Sequence, residues 1–142
     1  MIYITGDIHG NQFKWLEQID PVLKEGDIII VCGDFGIGFF QQKYSSEESF
    51  YDFISEQPYT VLFIDGNHED YDVLKRLPKI SDSENELLFQ KSGCSLTAEN
   101  TMKASDGIYY LKRGSVCKID GFSMLLIGGS TTGPGYKKNH PD

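Results

Sequence analysis

The sequence lacks several features that would mark it as a member of particular protein classes. Its 142 residues contain no apolar run near the length of roughly 18 residues that a membrane-spanning helix needs, so no membrane association is expected. The first residues have neither a basic region nor a cleavage site, unlike a signal peptide. Three cysteines without C-x-x-C spacing disfavour a disulfide framework or a zinc knuckle. Together these absences predict a protein of the reducing cytoplasm.

Positive charge is also scarce. Thirteen lysine and arginine residues stand against twenty-one aspartate and glutamate residues, which gives a net charge of −8. A protein that binds the phosphate backbone of nucleic acid needs a basic surface, so a nucleic-acid partner is disfavoured. Bound metal ions supply positive charge of their own. The acidic composition therefore stays compatible with a phosphate ester held by metal ions.

The first half of the chain alternates strand-like and helix-like segments. Apolar runs that end in a Gly-Asp or Asp-Gly step predict strands at 2–5, 28–32 and 61–64. The middle run, Ile-Ile-Ile-Val-Cys, is apolar on both faces, as expected of a buried parallel strand. Strands that alternate with helices at this spacing indicate an α/β fold with a parallel sheet.

Helices are predicted between these strands, with a third, short helix before Pro78. Asn11 is expected to cap the first helix. Ser45 and Glu48 have the spacing of a capping box at the start of the second. The predicted buried faces consist of Phe13, Leu16 and Ile19 in the first helix and of Phe50, Phe53 and Ile54 in the second.

The second half of the chain is less regular. Residues 79–105 are mostly polar and lack the pattern of a strand or a helix, and we expect an insertion or a mobile excursion there rather than a second domain. Strands are predicted at 108–111, 116–119 and 122–127, with Asp120-Gly121 as the hairpin turn between the last two. The chain is therefore predicted to form one domain over residues 1–142.

The three strands of the first half each lead into a glycine followed by a candidate metal ligand. The segments are Gly6-Asp7-Ile8-His9-Gly10, Gly33-Asp34-Phe35-Gly36 and Gly66-Asn67-His68-Glu69. They are separated by about one strand-helix-strand unit. This spacing brings them to the same edge of a parallel sheet, where ligands of α/β proteins bind. The residues predicted to converge are Asp7, His9, Asp34, Asn67 and His68.

This set of donors favours a metal site. Oxygen donors mixed with imidazole suit Mn²⁺, iron or Zn²⁺ better than Ca²⁺. A single Gly-Asp after a strand is most often only a turn, and a lone Asn-His is most often a loop tip or a helix cap. Here three such turns occur at matching strand ends, and they contain two of the three histidines in the chain. That coincidence favours one site over three unrelated turns.

The three segments, in this order, resemble the first three motifs of the calcineurin-like metallophosphoesterases. The resemblance covers residues 1 to about 77 and continues more weakly at 109–114 and 127–129. It implies a layered α/β sheet sandwich and a two-metal site that hydrolyses phosphoester bonds. Mn²⁺ is the expected ion, with iron, zinc or Mg²⁺ as alternatives. The expected partner is a phosphoester substrate whose kind the sequence leaves open.

The resemblance also implies a role for each ligand residue. Asp7 and His9 would bind the first ion, Asp34 would bridge both ions, and Asn67 would bind the second. His68 would stand over the phosphate, where it stabilises charge or protonates the leaving oxygen. The chemistry agrees with these roles, because two ions can clamp both oxygens of an in-line displacement. Histidine can also exchange a proton near neutral pH.

Two departures from the family narrow the expectation. The second motif continues with Gly-Ile-Gly, and an Asp-Gly step rather than an arginine precedes Asn67, unlike the protein serine/threonine phosphatases. The family's later histidine ligands, one of them in Gly-His-x-His, have no counterpart. His140 is the single later histidine, and we expect it to be a solvated residue of the tail. The expected protein is a C-terminally incomplete domain that binds at most one ion well, hydrolyses little and tends to associate.

Two other functions stay open at this point. One is a catalytically impaired module of the same fold that binds a metal ion or a phosphate. The other is a nuclease of the same superfamily, which the net charge of −8 disfavours. In each case Phe35, Phe39 and Phe40 would either line the mouth of the site or cover the sheet edge. The sequence does not determine the oligomeric state.

Overall fold

The computed structural model describes residues 1–38, 47–97, 99–119 and 121–129. Within these ranges the strands are β1 (Ile2–Thr5), β2 (Ile28–Cys32), β3 (Thr60–Ile64), β4 (Cys94–Ser95), β5 (Thr101–Ser105), β6 (Ile108–Leu111), β7 (Val116–Ile119) and β8 (Phe122–Leu125). The α-helices are α1 (Gln12–Lys14), α2 (Glu47–Ser55), α3 (Tyr71–Leu74) and α4 (Asp82–Ser92). A π-helical turn at Trp15–Ile19 and a 3-10 turn at Asp20–Val22 follow α1.

The larger sheet places the three ligand loops side by side. Its strand order is β1-β2-β3-β6-β5, with β5 antiparallel to β6 and the other neighbours parallel. In the register, Ile4 pairs with Ile30 and Ile30 pairs with Leu62. The carboxyl ends of β1, β2 and β3 therefore lie at one edge of the sheet, as predicted. Among the described residues, β1 is an outer strand of this sheet.

The second sheet lies against one face of the first. It is antiparallel, with the order β4-β7-β8. Ile28 and Ile30 of β2 share a buried cluster with Cys117 and Ile119 of β7. The opposite face of the large sheet packs against the helices, in a cluster that includes Trp15, Phe50, Val31, Val61 and Phe63. Because β2 is covered on both faces, its sequence is a continuous apolar run. The predicted layered α/β sandwich is confirmed.

The predicted buried face of the first helix is correct at Ile19 and wrong at Phe13 and Leu16. Trp15 and Ile19 are buried, whereas Phe13 and Leu16 are exposed. The reason is that α1 ends after three residues and continues as a wider π-helical turn, which shifts the side of the chain that meets the sheet. The predicted cap is correct, since the Asn11 side chain accepts a hydrogen bond from the Lys14 amide at 3.0 Å.

Residues 79–105 are also more regular than predicted, because they contain α4, β4 and β5. Helix α4 begins with a capping box between Ser81 and Glu84 and ends at Gly93 in the left-handed conformation. Only Leu88 of this helix is buried, so the sequence carried little apolar periodicity. The capping-box spacing was the signal that could have revealed the helix. Whether this segment is an insertion stays a prediction.

Several other predictions have a clear outcome. Phe50 and Ile54 are buried in α2, and Phe53 packs partly against the same core, as predicted. Strands β7 and β8 pair as the expected hairpin, although β8 ends at Leu125 and the turn residue Asp120 lies outside the described residues. Ser45 also lies outside them. No helix in the described ranges has the length and apolar character needed to cross a membrane.

Candidate metal centre

The loops after β1 and β2 are joined by backbone hydrogen bonds. The amide of Asp7 donates to the Gly33 carbonyl at 3.2 Å, and the amide of His9 donates to the Asp34 carbonyl at 2.7 Å. A third bond runs from Gly10 to the carbonyl of Phe35 at 2.9 Å. The two loops therefore run along each other as a backbone-bonded pair. Their spacing does not depend on side chains.

Three residues of these loops adopt an uncommon backbone conformation. Asp7, His9 and Asp34 have φ angles of 54°, 52° and 54°. Within the part of the chain that the structure describes, they are the only non-glycine residues with positive φ. A left-handed backbone is costly for a residue with a Cβ atom and persists where the surrounding structure enforces it, often at functional sites. Here it occurs at Asp7 and His9, which are predicted to bind the first ion, and at Asp34, which is predicted to bridge both ions.

The donor atoms of these residues fit a metal ion. His9 Nε2 lies 3.7 Å from Asp7 Oδ1 and 3.9 Å from Asp34 Oδ2. All three ligand atoms lie within 4.8 Å of one another. With ion-to-ligand distances of about 2.0–2.2 Å, one ion can contact His9 Nε2 together with either of these carboxylate oxygens. The Asp34 side chain is 10% exposed and that of Asp7 is 81% exposed, so the site is anchored at Asp34 and open to solvent at Asp7.

The loop after β3 meets this group at Asp34. The amide of His68 donates to Asp34 Oδ1 at 2.9 Å, while Asp34 Oδ2 faces His9. The imidazole rings of His9 and His68 lie edge to face with their centroids 5.0 Å apart. Asn67 is half-buried and lies between His68 and Gly66 in the chain. Gly66 packs against Asp34. The third loop therefore contacts Asp34 through Oδ1, whereas His9 faces Oδ2.

Gly66 leaves no room for a side chain. A Cβ atom at this position would lie 2.7 Å from Asp34 Cγ and would overlap the carboxylate and the amide of the same residue. Gly36 is equally constrained: its φ is 113°, and a Cβ atom would lie 2.8 Å from the carbonyl carbon of His9. Both glycines are needed because the loops approach each other at backbone distance.

Glu69 joins the second and third loops, a role that the sequence reading missed. It is buried, and its two carboxylate oxygens accept the amides of Gly36, at 3.0 Å, and Gly66. Burial raises the pKa of the Glu69 carboxyl to about 7, partly offset by these two hydrogen bonds, which lower it. A glutamate directly after the Asn-His pair was visible in the sequence. Its buried position was not.

Asp65 is the second residue that was missed. It is fully buried directly after β3, and its carboxylate accepts hydrogen bonds from Tyr110 at 2.9 Å, from Tyr71 at 2.9 Å and from Arg113. The Arg113 guanidinium also lies 5.3 Å from the centre of the Tyr71 ring. An ionised side chain that follows a buried strand needs such partners. The sequence signal was therefore an aspartate next to four apolar residues.

The remaining predicted residues have different outcomes. Phe35 does not line the site, because it is fully buried and stacks on Phe63 with 4.8 Å between ring centroids. Phe39, Phe40 and His140 lie outside the described residues.

Comparison with known families agrees with this geometry. The family model described as "Calcineurin-like phosphoesterase" matches residues 1–128. The chain therefore belongs to the calcineurin-like phosphoesterase family, whose members are metal-dependent hydrolases of phosphoester bonds. Its loops offer an Asp-His-Asp group that suits a divalent metal ion. No curated protein matches the chain. No solved structure matches it either.

Proposed function

We propose that this protein hydrolyses a phosphoester at a dinuclear centre formed by Asp7, His9, Asp34 and Asn67. The observation that carries the proposal is the convergence of Asp7, His9 and Asp34, each in a left-handed backbone conformation, at one sheet edge. Family membership gives the reaction class. Mn²⁺ is the ion we propose, because the donor set mixes carboxylate, amide and imidazole groups.

Asp34 has the position that a bridging ligand needs. Its side chain is nearly buried, one oxygen faces His9, and the other accepts the His68 amide. We assign Asp7 and His9 to the first ion, and Asn67, in the loop that contacts Asp34 Oδ1, to the second. Held by these residues, divalent ions would supply Lewis acidity that polarises the phosphoester and lowers the pKa of water. The uncharged amide of Asn67 keeps the total negative charge of the ligands low.

His68 is proposed as the catalytic residue. Its main-chain amide is bound to Asp34, which fixes the start of its side chain next to the centre. Its ring lies beside that of His9, on the side of the third loop. From there the imidazole would stabilise charge on the phosphate or protonate the leaving oxygen. Proton transfer of this kind is worth about 10²–10⁴-fold in rate.

The substrate class is tested with two chromogenic esters. The chain of residues 1–142 is assayed with p-nitrophenyl phosphate and bis-p-nitrophenyl phosphate in the presence of Mn²⁺, and its bound metal is measured. Turnover of the monoester indicates a phosphatase, and turnover of the diester indicates a phosphodiesterase or a nuclease. Absence of both activities in a chain that holds metal would contradict the proposed hydrolase.

A metal- or phosphate-binding module is the second candidate. The observation that favours it is the unequal supply of ligands: the first position has Asp7, His9 and Asp34, whereas we assign only Asp34 and Asn67 to the second among the described residues. A position with two protein ligands holds its ion weakly. One tightly bound ion without hydrolysis of either ester would select this candidate.

The bridging role predicts a difference between two substitutions. Asp34→Asn should weaken both ions, because Asp34 alone is assigned to both. Asp7→Asn should weaken one ion. Isothermal titration with Mn²⁺ measures both effects, and a normal metal stoichiometry in Asp34→Asn would show that Asp34 does not bridge.

The role of His68 predicts a separation of binding from turnover. His68→Ala should keep its metal content and lose turnover by about 10²–10⁴-fold. His9→Ala is the matched control, because it removes the neighbouring imidazole that we assign to the metal and should lower metal content. Loss of bound metal from His68→Ala would instead make His68 a ligand.

A further inference from the structure

Two side chains hold the main chain of Gly66, the residue before Asn67. The amide of Gly66 donates to Glu69, and the carbonyl oxygen of Gly66 accepts the Tyr71 hydroxyl at 2.7 Å. That carbonyl belongs to the planar peptide unit that leads into Asn67. Fixing its oxygen therefore fixes the direction in which the chain enters Asn67.

The Tyr71 hydroxyl is itself held in place. Its single proton is shared between the Gly66 carbonyl and Asp65 Oδ2, 2.9 Å away, and its oxygen accepts a hydrogen bond from Arg113, whose guanidinium also pairs with Asp65. Burial, with the adjacent Asp65 carboxylate, raises the pKa of this hydroxyl above its usual range. The Tyr71 hydroxyl therefore keeps its proton at neutral pH. The backbone of Asp65 is fixed too, since its carbonyl accepts the Gly129 amide at 2.7 Å.

We propose that Tyr71, held by Asp65 and Arg113, is a positioning residue that orients Asn67 for the second metal ion. The inference rests on the proposed function, in which Asn67 is a ligand. It goes beyond that function because Tyr71 would act through the Gly66 carbonyl and would touch neither ion nor substrate. If the ion pair between Asp65 and Arg113 only stabilised the fold, it would not require a tyrosine hydroxyl that donates to the carbonyl before Asn67.

Tyr110 provides a matched control. Its hydroxyl also donates to Asp65, at 2.9 Å, but to the other carboxylate oxygen, and no bond connects it to Gly66. Tyr71→Phe and Tyr110→Phe therefore each remove one phenolic hydrogen bond to the same carboxylate. Only the first removes the bond to the Gly66 carbonyl. Comparable losses of stability are expected from the two variants, so a difference in metal binding reports on positioning.

The test is a titration of the full chain with Mn²⁺, monitored by calorimetry. It compares the wild type with Tyr71→Phe, Tyr110→Phe and Asn67→Ala. One hydrogen bond corresponds to roughly a tenfold change in an equilibrium constant. We expect Tyr71→Phe to weaken the second, weaker binding step by about tenfold, with the first step changed by less than about twofold. Tyr110→Phe should leave both steps as in wild type. Thermal unfolding without metal confirms that each variant folds.

The outcomes separate this inference from the proposed function. Equal effects of Tyr71→Phe and Tyr110→Phe on metal binding, or no effect of Tyr71→Phe while Asn67→Ala loses the second ion, would overturn the positioning role alone. A wild-type chain that binds a single ion, or an Asn67→Ala chain that binds both ions normally, would overturn the assignment of Asn67 as a ligand. In that case the positioning role is overturned with it.

Discussion

The two halves of the candidate site are held together in different ways. The loops after β1 and β2 are joined main chain to main chain, and Asp7, His9 and Asp34 keep left-handed backbones. The loop after β3 is instead held by the buried side chains of Glu69 and Asp65. The comparison teaches that the first half depends on close backbone contact. The second half depends on side-chain hydrogen bonds that single substitutions can remove.

The largest effect is expected where the two halves touch, at Gly66. In Gly66→Ala the new methyl group would overlap Asp34, so the carboxylate must move. Metal binding at both positions should fall, on the order of 100-fold or more, since misplaced supporting groups alone cost 10–100-fold. The measurement is a Mn²⁺ titration together with thermal unfolding.

Gly93→Ala is the control for this change. Gly93 has a φ of 69° at the end of α4, and a Cβ atom there meets nothing within 4 Å. The variant should lose roughly 1–2 kcal/mol of stability from its left-handed backbone and keep its metal affinity. If Gly66→Ala bound Mn²⁺ as tightly as Gly93→Ala does, the two halves would not be coupled through Asp34.

The next largest effect is expected in the second half of the site, the loop after β3 that is held by side chains. Arg113→Ala removes the cation that pairs with the buried Asp65 carboxylate. Breaking a buried pair costs about 3–5 kcal/mol, and the partial exposure of Arg113 reduces this to roughly 2–3 kcal/mol. Urea unfolding of the metal-free chain measures the loss. Lys75→Ala, which removes an exposed ion pair with Asp72, should change stability by less than about 0.5 kcal/mol. Equal losses in the two variants would contradict a buried network.

The smallest effect is expected in a hydrogen-bonded network that lies outside the site and provides a reference for both halves. Lys103 donates to Glu84 at 2.6 Å, which joins α4 to β5. This bond, with the Ser81 amide, lowers the pKa of Glu84 from 4.5 to about 2. Because the folded-state pKa lies below the unfolded value, the contribution is present above pH 4.5 and is lost as the pH falls toward 2. Solvent screening at this surface limits it to about 1 kcal/mol.

Glu84→Gln should therefore lower stability near neutral pH by about 1 kcal/mol and flatten its fall below pH 4.5. Metal affinity should not change, because Glu84 belongs to neither half of the site. Urea unfolding at a series of pH values measures the stability, and a Mn²⁺ titration measures the affinity. If the stability of Glu84→Gln fell below pH 4.5 as steeply as that of the wild type, other carboxylates would account for that fall.

Local sequence pattern was sufficient to predict most strands. The apolar runs predicted β1, β2, β6 and β7 with the observed bounds. The reason is that the length of a strand and the alternation of its side chains depend on residues adjacent in the sequence. Local pattern failed where the helical period changed, at Trp15, and where a helix buries almost nothing, in α4. In both places the tertiary contacts, rather than the propensity of the segment, decide which side chains are buried.

What the sequence determined by itself is the common edge of the loops that carry the candidate donors, since three turns after parallel strands can only meet at the carboxyl ends. Tertiary structure alone decided how those donors are held. The partners of Asp65 are 6, 45 and 48 residues away along the chain, and Glu69 reaches the amide of Gly36 across 33 residues. Hydrogen bonds between such distant residues leave no periodic signal in a sequence. They exist only once the sheet has brought the loops together, and a buried carboxylate must then find donors or lose its charge.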